Sequence, residues 1–455
     1  MLELVTDILP GLMFGALVVA LFSGAPVAIM LMGVSLIFGI AAVALGEMRI
    51  VHATLIPNRI FGGTIENPVL VAAPMFIFMG LIMERTRIAE DLLLTLQRLL
   101  RVVPGGLGLA VVLMGTILAA ATGIIGASVV MLTVLALPTM VARGYQPSLA
   151  AGTVASAGTL GILIPPSIML VFMGDLLSVS IGRLFVAALL PGLILSALYV
   201  LYITIYSALR PGVAPKAPPL SPDERVGLWR ETLVALVVPI ALIVIVLGSI
   251  LGGFATPTEA AGVGAAGALL LGALRGRLSW RVLVGSADGS VRTVAMLFFI
   301  FVGATAFSYI FRKIGGDAFL VDTARSLDVG DWGLLLAMMV MIFAMGFFFD
   351  WIEITLIVLP IFAPLVALMD LGDHVARADL VYWFAVLVAI NLQTSFLTPP
   401  FGFALFYLKG AAGSLVTMAS IYRGIIPFVL LQLSVLALAV AAPGVVLWLP
   451  KALAQ

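Results

Sequence analysis

Residues 102–142 form a stretch of 41 residues without a charged side chain, and residues 8–46 form another of 39. No other feature of the sequence restricts the fold as much. A helix crosses the hydrocarbon of a bilayer with about 20 apolar residues, so each run is too long for one membrane element and long enough for two. Ser23-Gly24-Ala25-Pro26 supplies the break in the earlier run. Further uncharged stretches lie at 144–174, 184–209, 232–258, 293–311, 380–408 and 424–450. Together they predict roughly ten to twelve membrane elements in an all-α polytopic membrane protein. Composition removes the soluble alternatives. Of 455 residues 63% are hydrophobic and 10% charged, against about 25% charged in an ordinary soluble domain. A net charge of +1 leaves no basic face for nucleic acid. There is no Cys, and the two histidines, His52 and His374, lie far apart, which excludes disulfides, thiolate metal sites and histidine clusters.

The loop from Arg210 to Arg230 reads as aqueous, with five prolines between Pro211 and Pro222 and four basic residues, Arg210, Lys216, Arg225 and Arg230. A basic excess in a short loop marks the cytoplasmic side. Arg275, Arg277, Arg281 and Arg292 follow two spans later and fit the same side. The N-terminus carries Glu3 and Asp7 but no Lys or Arg, which fits the periplasm. A secretory signal would begin basic, so this segment reads as the start of an uncleaved first span. Residues 84–101 and 312–331 mix charges of both signs with apolar residues at helical spacing. Both suit helices lying along the membrane interface, and equally well solvated connectors.

The two halves of the chain echo each other. Leu160-Gly161-Ile162-Leu163-Ile164-Pro165-Pro166-Ser167 interrupts one uncharged stretch, and Phe396-Leu397-Thr398-Pro399-Pro400-Phe401-Gly402 interrupts another. Before each lies an apolar element with its own proline, Pro138 or Pro360. Paired prolines remove backbone donors and free nearby carbonyls, which hydrocarbon tolerates only where they line a cavity or hold a ligand. Matched interruptions in two halves point to the central site of a transporter. Ala121-Thr122-Gly123-Ile124-Ile125-Gly126-Ala127-Ser128 and Gly346-Phe347-Phe348-Phe349-Asp350-Trp351-Ile352-Glu353 read as the tips of two hairpins. Asp350 there is a carboxylate between apolar flanks, a costly placement unless it meets a cation, a donor or water. An Asn or Gln near a break, such as Asn67, Asn391 or Gln393, can contact a solute or simply satisfy a loose carbonyl.

At these residues the sequence resembles the large (M-type) membrane subunit of tripartite ATP-independent periplasmic (TRAP) transporters, over essentially the whole chain. The marks are Asn67-Pro68 with Ala73-Pro74-Met75-Phe76, Arg143-Gly144-Tyr145, Leu160-Gly161 through Pro165-Pro166-Ser167, Ala255-Thr256-Pro257-Thr258-Glu259-Ala260, and Thr398-Pro399-Pro400-Phe401-Gly402. Each motif alone is weak; the five in this order are specific. Thr122-Gly123 with Gly126-Ala127-Ser128-Val129-Val130 is most similar to the mannitol/chloroaromatic branch.

The resemblance implies a sodium-coupled, elevator-type uptake system for small organic anions in the bacterial inner membrane, with inverted repeats, two re-entrant hairpins and two broken helices. Its partners would be a small Q-type membrane subunit, a periplasmic P-type solute-binding protein and membrane lipid. It implies no cofactor, only Na+ as the coupling ion. The expected division is 1–101 for the scaffold and arm helix of the first repeat and 102–182 for its hairpin and broken helix. Residues 183–231 follow as a span and cytoplasmic linker. The second repeat takes 232–331 for its scaffold and arm and 332–412 for its hairpin and broken helix, and 413–455 forms a C-terminal span. One sodium site would use Thr122 and the backbone of Ile124, Gly161, Ile164 and Pro166. Aligning Pro165-Pro166 with Pro399-Pro400 puts its twin at Ser395, Thr398 and the backbone of Pro400, with Thr394 and Gly346 as neighbours. Asn67, Ser128, Ser167, Asp350, Asn391 and Gln393 are the candidate substrate contacts. A stand-alone sodium/anion symporter of the same superfamily is the competing reading, and an intramembrane enzyme a remote one.

Overall fold

The uncharged runs become helix pairs. Residues 8–46 divide between α1 (Leu2–Leu21) and α2 (Val27–Ala44), parted at a turn where Gly24 takes a left-handed φ of 76°. The computed structural model describes residues 2–122, 125–218, 228–326, 328–399 and 402–453, and all regular elements among them are helical. Two short turns, α3 (Ile50–Ala53) and α4 (Ile56–Ile60), lead towards α5 (Ala72–Arg85) and the amphipathic α6 (Ile88–Leu99). The 41-residue run gives α7 (Gly106–Thr122) and α8 (Ile125–Ala142). Then come α9 (Pro147–Thr159), an interruption around Pro165-Pro166, α10 (Ile168–Leu176) and the long α11 (Ile181–Leu209).

Beyond the proline-rich loop, α12 (Leu228–Leu251) and α13 (Pro257–Leu274) precede α14 (Trp280–Lys313), and the order of the first half then recurs. A short amphipathic helix, α15 (Gly316–Ser326), is followed by the pair α16 (Gly330–Met345) and α17 (Trp351–Leu368). Next come α18 (Arg377–Ser395), a second interruption, α19 (Phe403–Ala412) and the long α20 (Met418–Ala441), with α21 (Gly444–Leu453) last. Ten helices among the described residues are long and apolar enough to cross a bilayer. Their outer faces stay apolar: Leu36, Ile37 and Ile40 of α2 are each more than 60% exposed. Water would not tolerate so large an apolar surface, and lipid does.

Hydrophobic association cannot hold helices together inside lipid, so close packing and polar links do the work. α9 crosses α20 at Gly152 and Gly424, where a Cβ on either glycine would overlap the backbone of the other helix. α6 buries Ile88, Leu92 and Leu96 along one face. At the edge of that face Asp91 accepts from Arg275 at 2.8 Å and Arg277 at 2.7 Å beyond the end of α13. Asp379, 6% exposed at the start of α18, pairs with Arg183 of α11 and with Lys451 of α21 at 3.0 Å. In the turn before α18, the Gly372 N–H and the Arg377 guanidinium both donate to Asp370, holding its carboxyl below the usual carboxylate range. The same residue's N–H donates to Asp331 at the start of α16, which ties the end of α17 back to the helix it is paired with.

Candidate functional site

The two interruptions meet. Gln393, near the end of α18, donates from Nε2 to the Thr159 hydroxyl, the last residue of α9, at 3.4 Å. Both side chains are fully buried, and the Gln393 Oε1 has no partner among the described residues. The two residues stand 234 positions apart, the spacing that superimposes Pro165-Pro166 on Pro399-Pro400. Gln432 of α20 also donates to the Tyr199 hydroxyl of α11 at 2.8 Å, joining a helix of the second half to one of the first.

Around the second break the polar groups converge. Ser395 donates to Leu392 O at 2.9 Å, Thr394 to Ile390 O at 2.8 Å, and Thr398 to Thr394 O at 2.8 Å. A hydroxyl whose proton is committed to a helix carbonyl keeps its oxygen lone pairs for a cation or a donor. Gly346 closes α16 directly against Ser395: a Cβ there would fall on the serine Oγ. Asn391 donates to Met339 O of α16 at 2.7 Å, binding α18 to α16 a little further down.

Asp350 is the N-cap of α17. Its Oδ1 accepts from Trp351 N at 2.7 Å, and Glu353 reaches back to Asp350 N at 3.2 Å, completing a capping box. The pair places two carboxylates in one turn. Tyr407 of α19 lies within electrostatic reach of both, and its ring covers Gly126 of α8 so closely that a Cβ would sit 2.8 Å from Cζ. The phenol thus packs on the start of α8, within electrostatic reach of the start of α17.

Around the first break, Gly161, Ile164 and Pro166 are all buried, and Ser167 donates to Ile162 O at 2.8 Å. Ser128 is buried where α8 meets Ala157 and Gly158 of α9. Thr153 and Ser156 of α9 carry buried hydroxyls with no partner among the described residues. Ile124 and Pro400 lie outside the described residues, as does the side chain of Thr122. Asn67 stands apart from the other sequence candidates. Its amide donates to Asp175 at the end of α10 at 2.8 Å, while its carbonyl oxygen accepts from Val69 N.

Sequence reasoning missed Thr159 and Tyr407. Thr159 was findable, because superimposing the double prolines sets it opposite Gln393. Tyr407 carries no such signal; it is one aromatic residue in an apolar run.

A family model described as "Tripartite ATP-independent periplasmic transporter, DctM component" matches residues 14–445. The chain belongs to this family. It is thus the large permease subunit of a TRAP transporter, a multi-pass membrane protein and not an enzyme. The C4-dicarboxylate TRAP transporter large permease protein DctM of Pseudomonas aeruginosa is 32% identical over 393 residues, covering 85% of this chain and 87% of that one. The isethionate TRAP transporter permease protein DctMQ of Oleidesulfovibrio alaskensis is 30% identical over 440 residues, covering 96% of this chain and 66% of that one. Among solved structures, the YdaH transporter of Alcanivorax borkumensis superimposes with a TM-score of 0.59 at 14% identity, over 88% of each chain. At that identity the likeness concerns the fold alone.

Proposed function

We propose that this DctM-family chain carries out sodium-coupled uptake of a small organic anion across the bacterial inner membrane by an elevator movement. In this reading residues 102–182 and 332–412 move together, and the remaining helices form the scaffold. The observation that carries it is the contact of Gln393 with Thr159, which joins two interrupted helices at equivalent positions. Broken half-helices at a repeat interface supply carbonyls for a cation and helix N-termini for an anion. Sodium, a hard ion, suits the neutral oxygens of Thr122, Ile124, Gly161, Ile164 and Pro166 on one side, and of Thr394, Ser395, Thr398, Pro400 and Gly346 on the other. The solute would lie nearby, against Ser128, Ser167, Asp350, Asn391 and Gln393, with Asn67 reporting from the scaffold side. Two sites predict a sodium dependence of uptake with a Hill coefficient between one and two. A hyperbolic dependence in proteoliposomes would remove one site.

The solute is proposed to be a carboxylate, in keeping with the C4-dicarboxylate named for one relative; the motif around Thr122 favours the mannitol/chloroaromatic branch. A Q-type subunit is proposed to cover the outer face of α2 beside an apolar cavity of about 530 Å³ lined by Leu36, Ile40 and Ile310. The relative whose name joins M and Q supports such a partner. The test is reconstitution. The chain with its Q-type subunit, a P-type binding protein and an inward sodium gradient should accumulate solute, and the chain alone should transport nothing. Sodium-driven uptake by the lone chain would favour a stand-alone symporter.

A further inference from the structure

A second cavity, of about 520 Å³, lies where α4 and the end of α14 face the end of α10 and the middle of α17. Among the described residues, none from the two breaks lines it. Its volume falls in the range of small-molecule pockets. Among the described residues, Arg59, Arg312 and Lys313 line it against a single acid, Asp175, whose carboxylate already accepts from the Asn67 amide. Arg312 has Asp317 at 3.9 Å. Arg59 and Lys313 each stand 5.9 Å from the centre of the Tyr309 ring. Among the described residues neither has an ion-pair partner. The Tyr309 hydroxyl is buried without a hydrogen-bond partner, and the hydroxyls of Thr305 and Ser308 complete the polar wall.

Two unpaired cations over one ring repel each other, and a buried hydroxyl without an acceptor is a desolvation cost. One ligand chemistry relieves both. An oxyanion accepts from an arginine fork and a lysine ammonium at once and takes the phenol proton as a third hydrogen bond. We propose that this cavity is an oxyanion site, holding the carboxylate of a small solute or the phosphate of a lipid headgroup among Arg59, Tyr309 and Lys313. It stands independently of the transport reading above, since it requires only the cavity and its charge.

The chain has no cysteine, so Ser308→Cys introduces a unique thiol into the cavity. Its modification in zwitterionic nanodiscs is compared for an anionic and a cationic methanethiosulfonate reagent, each normalised to its rate with a free thiol. The anionic reagent should react about tenfold faster, the local enrichment expected of a cleft lined by one sign of charge. Adding Arg59→Gln and Lys313→Gln should erase that preference. Benzoate slowing the reaction identifies a soluble carboxylate as ligand, and enrichment with phosphatidylglycerol slowing it identifies a lipid phosphate. Equal rates, a preference for the cationic reagent, or no protection by either anion overturns the proposal. Thr305→Cys, lining the same cavity, serves if Ser308→Cys does not insert.

Discussion

Gly346→Val should insert into the membrane and lose sodium-driven uptake. The glycine ends α16 with its Cα against Ser395, so even a methyl group would fall on the serine Oγ. Overfilling a packed contact costs about 1–3 kcal/mol, which a bundle of this size survives. The same displacement pushes the hairpin off the point where α18 stops, and there the proposed second sodium site needs oxygens held to fractions of an ångström. Gly346→Ala with Ser395→Gly separates the two effects. If packing alone matters, removing both the Oγ and the Cβ of Ser395, the two atoms that a methyl group at Gly346 would overlap, makes room for it and restores uptake. If Ser395 is a sodium ligand, the double variant stays inactive, and Ser395→Ala alone raises the sodium concentration needed for half-maximal uptake. Uptake by Gly346→Val at the wild-type rate would detach this contact from transport.

The parts of the fold legible in the sequence are those set by local chemistry. Charge-free runs gave the spans because ionised side chains are costly in hydrocarbon, and the double prolines marked the interruptions because they remove backbone donors. Where charges pair within a helix, this reading falls short. α14 begins at Trp280, well before the uncharged stretch at 293, and carries the Arg292–Asp288 pair at 2.9 Å on an exposed turn. The uncharged stretch 424–450 hides two helices, α20 and α21, because Pro443 and Gly444 end one and start the other without any charge between them.

The site was legible as a list but not as a constellation. Ser395, Thr398 and Gln393 were found from their distance to a proline pair, a local signal. Tyr407 over Gly126, and Arg59 beside Lys313 over Tyr309, join segments far apart in the chain, and no periodicity encodes such a meeting. Asn67 shows the converse. Its place in a motif marks it as a solute contact, yet its amide hydrogen-bonds to Asp175. It links the segment before α5 to the broken helix, across the boundary that the elevator reading requires to slide.

Asp350→Asn tests charge apart from structure. At membrane depth a carboxylate costs roughly 2.5–3.5 kcal/mol, and the capping box offers the Asp350 carboxylate backbone N–H groups, those of Trp351 and Glu353, while the Asp350 N–H itself donates to the Glu353 carboxylate. Asparagine caps a helix about as well as aspartate, so the variant keeps the start of α17 and loses only the charge. Glu353 stands three residues on, so the negative potential at this tip is shared by two carboxylates, within electrostatic reach of the Tyr407 phenol. Such a potential repels the carboxylate of a solute and attracts a cation, which makes sodium or the solute's hydroxyl groups the natural counterpart of Asp350. Uptake should therefore fall at least tenfold in a folded, membrane-inserted protein, a loss of about 1.4 kcal/mol or more, while Glu353→Gln removes the neighbouring charge for comparison. Near-normal uptake by a well-expressed Asp350→Asn protein would show that the residue acts through its cap alone, because the cap is what the substitution preserves.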